Sequence, residues 1–137
     1  MDDLKYEGVP ATPEDLERIH RTKTGALIVA AIVGGAVLAG AEAEESEALR
    51  AFAEPIGLAF QIVDDILDVS GDATSLGKTP GKDARSGKAT WVALHGIEAS
   101  RRRAKDLHAI SVEALRPFGS EADLLRDLAS MIIHRAS

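Results

Sequence analysis

The chain has no cysteine, so disulfides, thiolate metal sites and a thiol nucleophile are excluded, a usage that suits the cytoplasm. Aromatic residues make up only 4% of it, which disfavours sandwiches and barrels built on aromatic and β-branched strands. There is no basic excess either. The net charge of −6 argues against a general nucleic-acid surface, and nucleic acid is not an expected partner. The first residues are charged and lack an apolar stretch of the secretory type, so no secretory signal is expected. Only residues 25–41 form a long uncharged run. This run sits at the lower edge of what spans a bilayer, and it carries Gly25, Gly34, Gly35 and Gly40 with no Trp or Tyr at its ends. It is expected to be a helix buried on all sides and not a membrane span.

What is present is 45% hydrophobic residues, rich in Ala, Leu, Ile and Gly, a composition for close-packed helices. The expected fold class is all-α, with residues 1–137 as a single helical domain. Thr12-Pro13-Glu14-Asp15 has the form of a helix start, with a hydroxyl cap, Pro at the first position and acids in the first turn. A second helix is expected from Thr22 or Thr24 to about Ala41. A third begins at Glu44, with a break or kink at Pro55 before the helix continues. The segment from Ser70 to Gly87 has no periodicity and holds Gly71, Gly77, Pro80, Gly81 and Gly87, so one long loop is expected at about 70–87. Helical spacing returns from Ala89 to about Leu115, with Trp91, Leu94, Ile97, Leu107 and Ile110 expected in the core. After the breaker Pro117-Phe118-Gly119, Ser120 and Asp123 form a capping-box-like start to a last helix. Its expected buried face is Leu124, Leu125, Leu128, Met131 and Ile132.

The most informative stretch is Phe60-Gln61-Ile62-Val63-Asp64-Asp65-Ile66-Leu67-Asp68. At helical spacing Gln61, Asp64, Asp65 and Asp68 make one polar stripe on an otherwise apolar helix. Acids at this spacing commonly form a solvated face, but carboxylates beside an apolar wall need protonation, a basic partner or a hard cation with oxygen ligands. The loop that follows inverts the charge of the chain, since Lys78, Lys82, Arg85 and Lys88 outnumber Asp72 and Asp83. A Gly-rich loop with lysines can be a plain surface connection. Beside an acidic stripe it can also complete a receptor for a Mg²⁺-bound polyphosphate, because Mg²⁺ favours carboxylate, water and phosphate oxygens together. Lys23 and Thr24 add a cation and a hydroxyl at the start of the uncharged helix, where free backbone N–H groups attract an anion. A diphosphate head with a hydrocarbon tail suits this pairing. His20 and His134 read as surface or cap residues, His95 and His108 fit no zinc pattern, and Arg101-Arg102-Arg103 diverges around its helix and is given no role.

These residues bring a family into view. Phe60-Gln61-x-x-Asp64-Asp65-Ile66-Leu67-Asp68 resembles the second aspartate-rich motif of the trans-prenyl diphosphate synthases, the polyprenyl synthetases of farnesyl and geranylgeranyl diphosphate synthase type. His20-Arg21-Thr22-Lys23-Thr24-Gly25-Ala26-Leu27 is similar to their Lys-Thr helix segment, and Gly77-Lys78-x-x-Gly81-x-Asp83 with Gly87-Lys88-x-Thr90 to their lysine-bearing loop. The resemblance implies a helical isoprenoid-synthase bundle and Mg²⁺-dependent condensation of an allylic diphosphate with isopentenyl diphosphate. It gives Asp64, Asp65 and Asp68 to the metal and Lys23, Lys78 and Lys88 to the substrate diphosphate. Lys23, Thr24 and Gln61 are implied as catalytic, the oxygens of Thr24 and Gln61 lying beside the allylic carbon. Trp91 stands where bacterial members often carry Tyr.

The same resemblance implies a longer protein. The family's first aspartate-rich motif and its isopentenyl diphosphate site belong to an N-terminal half without counterpart here, so the chain is expected to be the C-terminal half and inactive alone. Family members are usually homodimers, and helices that pack on an absent half are expected to drive self-association. A non-catalytic helical partner or regulatory subunit of the same descent is the alternative reading.

Overall fold

The computed structural model describes residues 24–70 and 90–135. Among them are five α-helices, one 3₁₀ segment and no strand, as an all-α chain requires. The expected helix at Thr12, Lys23 and most of the expected loop lie outside the described residues.

The first described helix, α1 (Ala26–Leu38), carries no charge and no side-chain cap. It ends three residues short of the expected Ala41 because Gly40 adopts φ +80. There the N–H of Gly40 reaches Val37 O at 3.1 Å and that of Ala41 reaches Ala36 O at 3.0 Å, the paired bonds of a Schellman stop. The helix is not buried on all sides, contrary to expectation. Ala36 is its one buried residue, while Leu27 is 70% and Leu38 91% exposed. Only one face of it packs on the next helix. No helix among the described residues is long and apolar enough to cross a membrane.

Helix α2 (Ala43–Ser70) is the spine of the molecule. Glu44 and Glu45 occupy its positive first turn, and the Glu45 carboxylate accepts the Glu42 N–H at 2.8 Å, which satisfies one orphan donor. The expected break at Pro55 does not occur, and the helix runs through it. Proline there removes one backbone bond and costs about 3 kcal/mol in an isolated helix. Phe52, Ala53, Ile56, Leu58 and Ala59 are buried on both sides of Pro55, and the apolar area they remove from water outweighs that loss. The carbonyl left without its bond belongs to exposed Ala51.

Helices α3 (Trp91–His95) and α4 (Ile97–Ala114) replace the single expected helix from Ala89, divided at Gly96, whose φ of +80 interrupts the ladder. Along α4 the buried Ser100, Ala104, Leu107 and Ser111 recur at helical spacing. The small Ser100, Ala104 and Ser111 let α4 lie close along α2, the most extensive helix–helix contact among the described residues. The two buried serines bond back within the helix, Ser100 Oγ to Gly96 O at 2.7 Å and Ser111 Oγ to Leu107 O at 2.9 Å, so neither hydroxyl is orphaned. Leu94 and Ile110, expected in the core, are 41% and 52% exposed. Trp91 and Leu107 are buried as expected, Ile97 packs against the core, and Val92 is buried in addition.

A 3₁₀ turn (Arg116–Ala122), kinked at Gly119 with φ 56, leads into α5 (Asp123–His134). Ser120 is not its cap. The helix begins after Ala122 without a side-chain cap, and Arg126 closes the corner, donating to Leu115 O at 2.8 Å and to Asp123 Oδ1 at 2.6 Å. The buried face of α5 is also rotated from the expected one. Ala129 is buried and Leu125, Ile132 and Ile133 pack on the core, whereas Leu124 (81%), Leu128 (48%) and Met131 (67%) face outward.

Candidate active site: the acidic stripe of α2

Gly57, Gln61, Asp64, Asp65 and Asp68 recur along one side of α2, and the turns around them carry Ile56, Ile62, Val63, Ile66 and Leu67 into the core. Gln61 and the three aspartates are half-buried. A stripe so placed is neither a fully solvated face nor a sealed one, and its charges are strengthened by the apolar wall beside them.

Two elements converge on this stripe. At its upper end a Cβ built on Gly57 would lie 3.0 Å from Gly25 Cα, so the start of α1 crosses α2 at backbone distance. Thr24, half-buried, precedes that crossing by one residue, and Gln61 follows Gly57 by about one turn of α2. Further along, the Trp91 N–H donates to Asp65 Oδ2 at 2.7 Å. Trp91 opens α3, whose N-cap Thr90 accepts the Ala93 N–H on its Oγ1 at 3.2 Å. The chain leaves α2 after Ser70 and is next described at Thr90, so its re-entry abuts the acidic stripe.

Along the crossing of α1 and α2 runs a groove of about 410 Å³, lined by Gly25, Ala26, Val29, Ala30, Val33 and Gly34 with Arg50 and Glu54 of α2. Its lining is mostly hydrocarbon. The far end of α5 also reaches the motif, where the Arg135 guanidinium lies 5.7 Å from the centroid of the Phe60 ring, a cation–π contact.

Of the residues expected in the site, Thr24, Gln61, Asp64, Asp65 and Asp68 belong to one region of the described structure. Lys23, Lys78 and Lys88 lie outside the described residues. Among the described residues no group of three or more His, Cys, Asp or Glu side chains is placed to hold a metal ion. A site for Mg²⁺ does not need three. That ion is commonly held by one or two carboxylates with substrate phosphates and water completing its shell, and Asp64 and Asp68, one helical turn apart, are hard oxygen donors that fit this pattern. Sequence reasoning missed Gly57, Arg135 and the engagement of Asp65. Gly57 could have been found, because a glycine inside a long helical pattern signals close backbone approach. The other two contacts join residues far apart in sequence.

A family model for polyprenyl synthetase matches residues 1–121. The chain belongs to the polyprenyl synthetase family. It is 45% identical over 137 residues to the farnesyl diphosphate synthase of Escherichia coli (strain K12), covering 97% of this chain and 46% of that protein. It is 50% identical over 123 residues to geranylgeranyl pyrophosphate synthase 11 of Arabidopsis thaliana, covering 89% of this chain and 34% of that one. Among solved structures, the geranylgeranyl pyrophosphate synthetase of Pyrococcus horikoshii matches with a TM-score of 0.85 at 28% identity, over 96% of this chain and 52% of that one. A Helicobacter pylori geranyltransferase complexed with magnesium and isoprenyl diphosphate matches with a TM-score of 0.77 at 33% identity, over 96% of this chain and 43% of that one. The chain thus spans about half the length, or less, of these relatives.

Proposed function

We propose that this chain is the diphosphate-ionising portion of a prenyltransferase, which condenses an allylic diphosphate with isopentenyl diphosphate in the presence of Mg²⁺. The single observation that supports the reading is the convergence of the start of α1, at the Gly25–Gly57 crossing, and of Trp91, through Asp65, on the helix side that carries the half-buried carboxylates.

Asp64 and Asp68 are the residues that would hold the cation. Mg²⁺ bound there would draw charge off the departing diphosphate. Lys23, Lys78 and Lys88 are assigned to the diphosphate oxygens, each as a point charge with three donors. When the allylic carbon–oxygen bond breaks, positive charge develops on carbon, and the oxygens of Thr24 and Gln61 are assigned to stabilise it. The apolar groove along α1 offers a wall for the hydrocarbon and excludes water that would capture the cation. The double bond of isopentenyl diphosphate then attacks, and loss of a proton leaves a longer allylic diphosphate. We assign the protein to the cytoplasm, and homodimerisation to the complete family fold. The isolated 137-residue chain is proposed to be inactive, because it spans only 46% of its E. coli relative.

A chimera tests this reading. The E. coli farnesyl diphosphate synthase with its matched segment replaced by this chain should elongate an allylic diphosphate, and Asp64→Ala in that chimera should lower the rate by about 100-fold or more. A folded chimera without activity, or one indifferent to Asp64→Ala, would contradict the reading. The observation favouring a non-catalytic partner instead would be tight binding of a second protein by the chain with Asp64 and Asp68 both replaced.

A further inference from the structure

The three aspartates of the stripe are not equivalent, and we propose that Asp65 is a positioning residue that fixes the re-entry of the chain at Trp91, not a ligand of the metal. This inference rests on the functional reading above and divides its acidic motif into two tasks.

Asp65 Oδ2 receives the Trp91 backbone N–H at 2.7 Å, short for a nitrogen donor and typical of a charge-assisted bond. The donor is one of the orphan N–H groups at the first turn of α3, and a carboxylate is the acceptor best suited to that place. The bond is held rigidly from both sides. Asp65 stands on α2 between the buried pairs Ile62 and Val63, Ile66 and Leu67, while Trp91 is 7% and Val92 8% exposed in the same core. Thr90 caps the same turn on Ala93, so α3 has two side-chain acceptors at its start, one local and one 26 residues away.

The bond to Trp91 separates Asp65 from its neighbours. All three lie on one side of the helix, with Asp65 about 100° from Asp64 and about 60° from Asp68, and it is Asp65 that bonds the first turn of α3. A carboxylate with one oxygen committed to a core-anchored amide cannot swing to follow a metal as its load changes. What it does well is hold a fixed distance between the acidic stripe and the point where the chain returns from the segment bearing Lys78 and Lys88. A neutral amide can do the same, because the side-chain oxygen of asparagine also accepts an N–H.

Asp65→Asn, Asp65→Ala and Asp64→Asn in the full chain separate the roles. The first readout is exchange of the Trp91 amide proton, followed by NMR. It should be at least about tenfold faster in Asp65→Ala than in the parent, within about threefold of the parent in Asp65→Asn, and unaffected in Asp64→Asn. The second is the Mg²⁺ concentration that half-saturates uptake of inorganic diphosphate. It should shift by less than about threefold in Asp65→Asn and by more than about tenfold in Asp64→Asn. Unchanged Trp91 exchange in a folded Asp65→Ala, or a Mg²⁺ shift in Asp65→Asn equal to that in Asp64→Asn, would overturn the proposal. If the parent chain takes up no diphosphate with Mg²⁺, the functional reading fails while the Trp91 exchange still decides the role of Asp65.

Discussion

At the scale of single residues, the site divides into what periodicity reveals and what only folding reveals. The stripe of Gln61, Asp64 and Asp68 follows from the 3.6-residue repeat alone. The bond from Trp91 to Asp65 does not, because it joins positions 26 residues apart and no local pattern encodes it. His108 is a comparable case on α4. Its Nε2 lies 3.4 Å from Ser130 Oγ on α5, and the His134 ring nitrogen Nδ1 bonds the carbonyl of the same serine at 2.7 Å. Burial, and then the charge of His134, hold the His108 pKa below the usual 6.5. A base whose folded pKa is lowered binds fewer protons when folded than when unfolded, so stability falls as pH drops from about 6.5 through the lowered folded value and levels off beneath it. Urea midpoints measured between pH 7.5 and pH 5 should decline, and His108→Gln should flatten that decline. An unchanged slope in the variant would remove His108 from the account.

At the scale of elements, helix positions were legible and helix faces less so. Local propensity marks Pro55 for a break or kink, but the core around it, with Phe52, Ala53, Ile56 and Ala59 all buried, carries the helix through without a break. On α5 the expected inward residues Leu125 and Ile132 do pack on the core, joined by Ala129 and Ile133, while Leu124, Leu128 and Met131 face outward. A helix apolar on two faces does not declare which of them meets this core. The crossing of α1 and α2 carries a sharper prediction. Alanine is about 1 kcal/mol better than glycine inside a helix, so Gly57→Ala would stabilise α2 in isolation. In the fold its Cβ meets Gly25 Cα at 3.0 Å and Gly25 O at 3.5 Å, backbone atoms that cannot rotate away. The overpacking should dominate and leave the variant about 1 kcal/mol less stable, measured by urea unfolding. Gly34→Ala has nothing within 4 Å of the new atom and should be neutral or slightly stabilising. Equal behaviour of the two variants would show that the close crossing does not constrain the fold.

At the scale of the whole molecule, all-α architecture and family are readable from composition and three motifs, and so is the expectation of exposed apolar helix faces, whereas the particular residues on those faces are not. Leu27, Val37 and Leu38 on α1 and Leu124, Leu128 and Met131 on α5 are large and solvent-facing. Self-association is the expected result. Sedimentation should show a mass that rises with concentration, and Leu27→Lys with Leu38→Lys should reduce it with little loss of fold, since exposed substitutions usually move stability by no more than about 0.5 kcal/mol. A compact monomer at all concentrations would contradict this expectation.

The central claim is that the chain carries one half of a Mg²⁺–diphosphate clamp, with Asp64 and Asp68 as its metal-holding pair. Calorimetric titration of inorganic diphosphate into the 137-residue chain tests it most directly. Heat of binding should appear only when Mg²⁺ is present and be lost in Asp64→Ala. Binding of equal strength without Mg²⁺, or undiminished in Asp64→Ala, would contradict it.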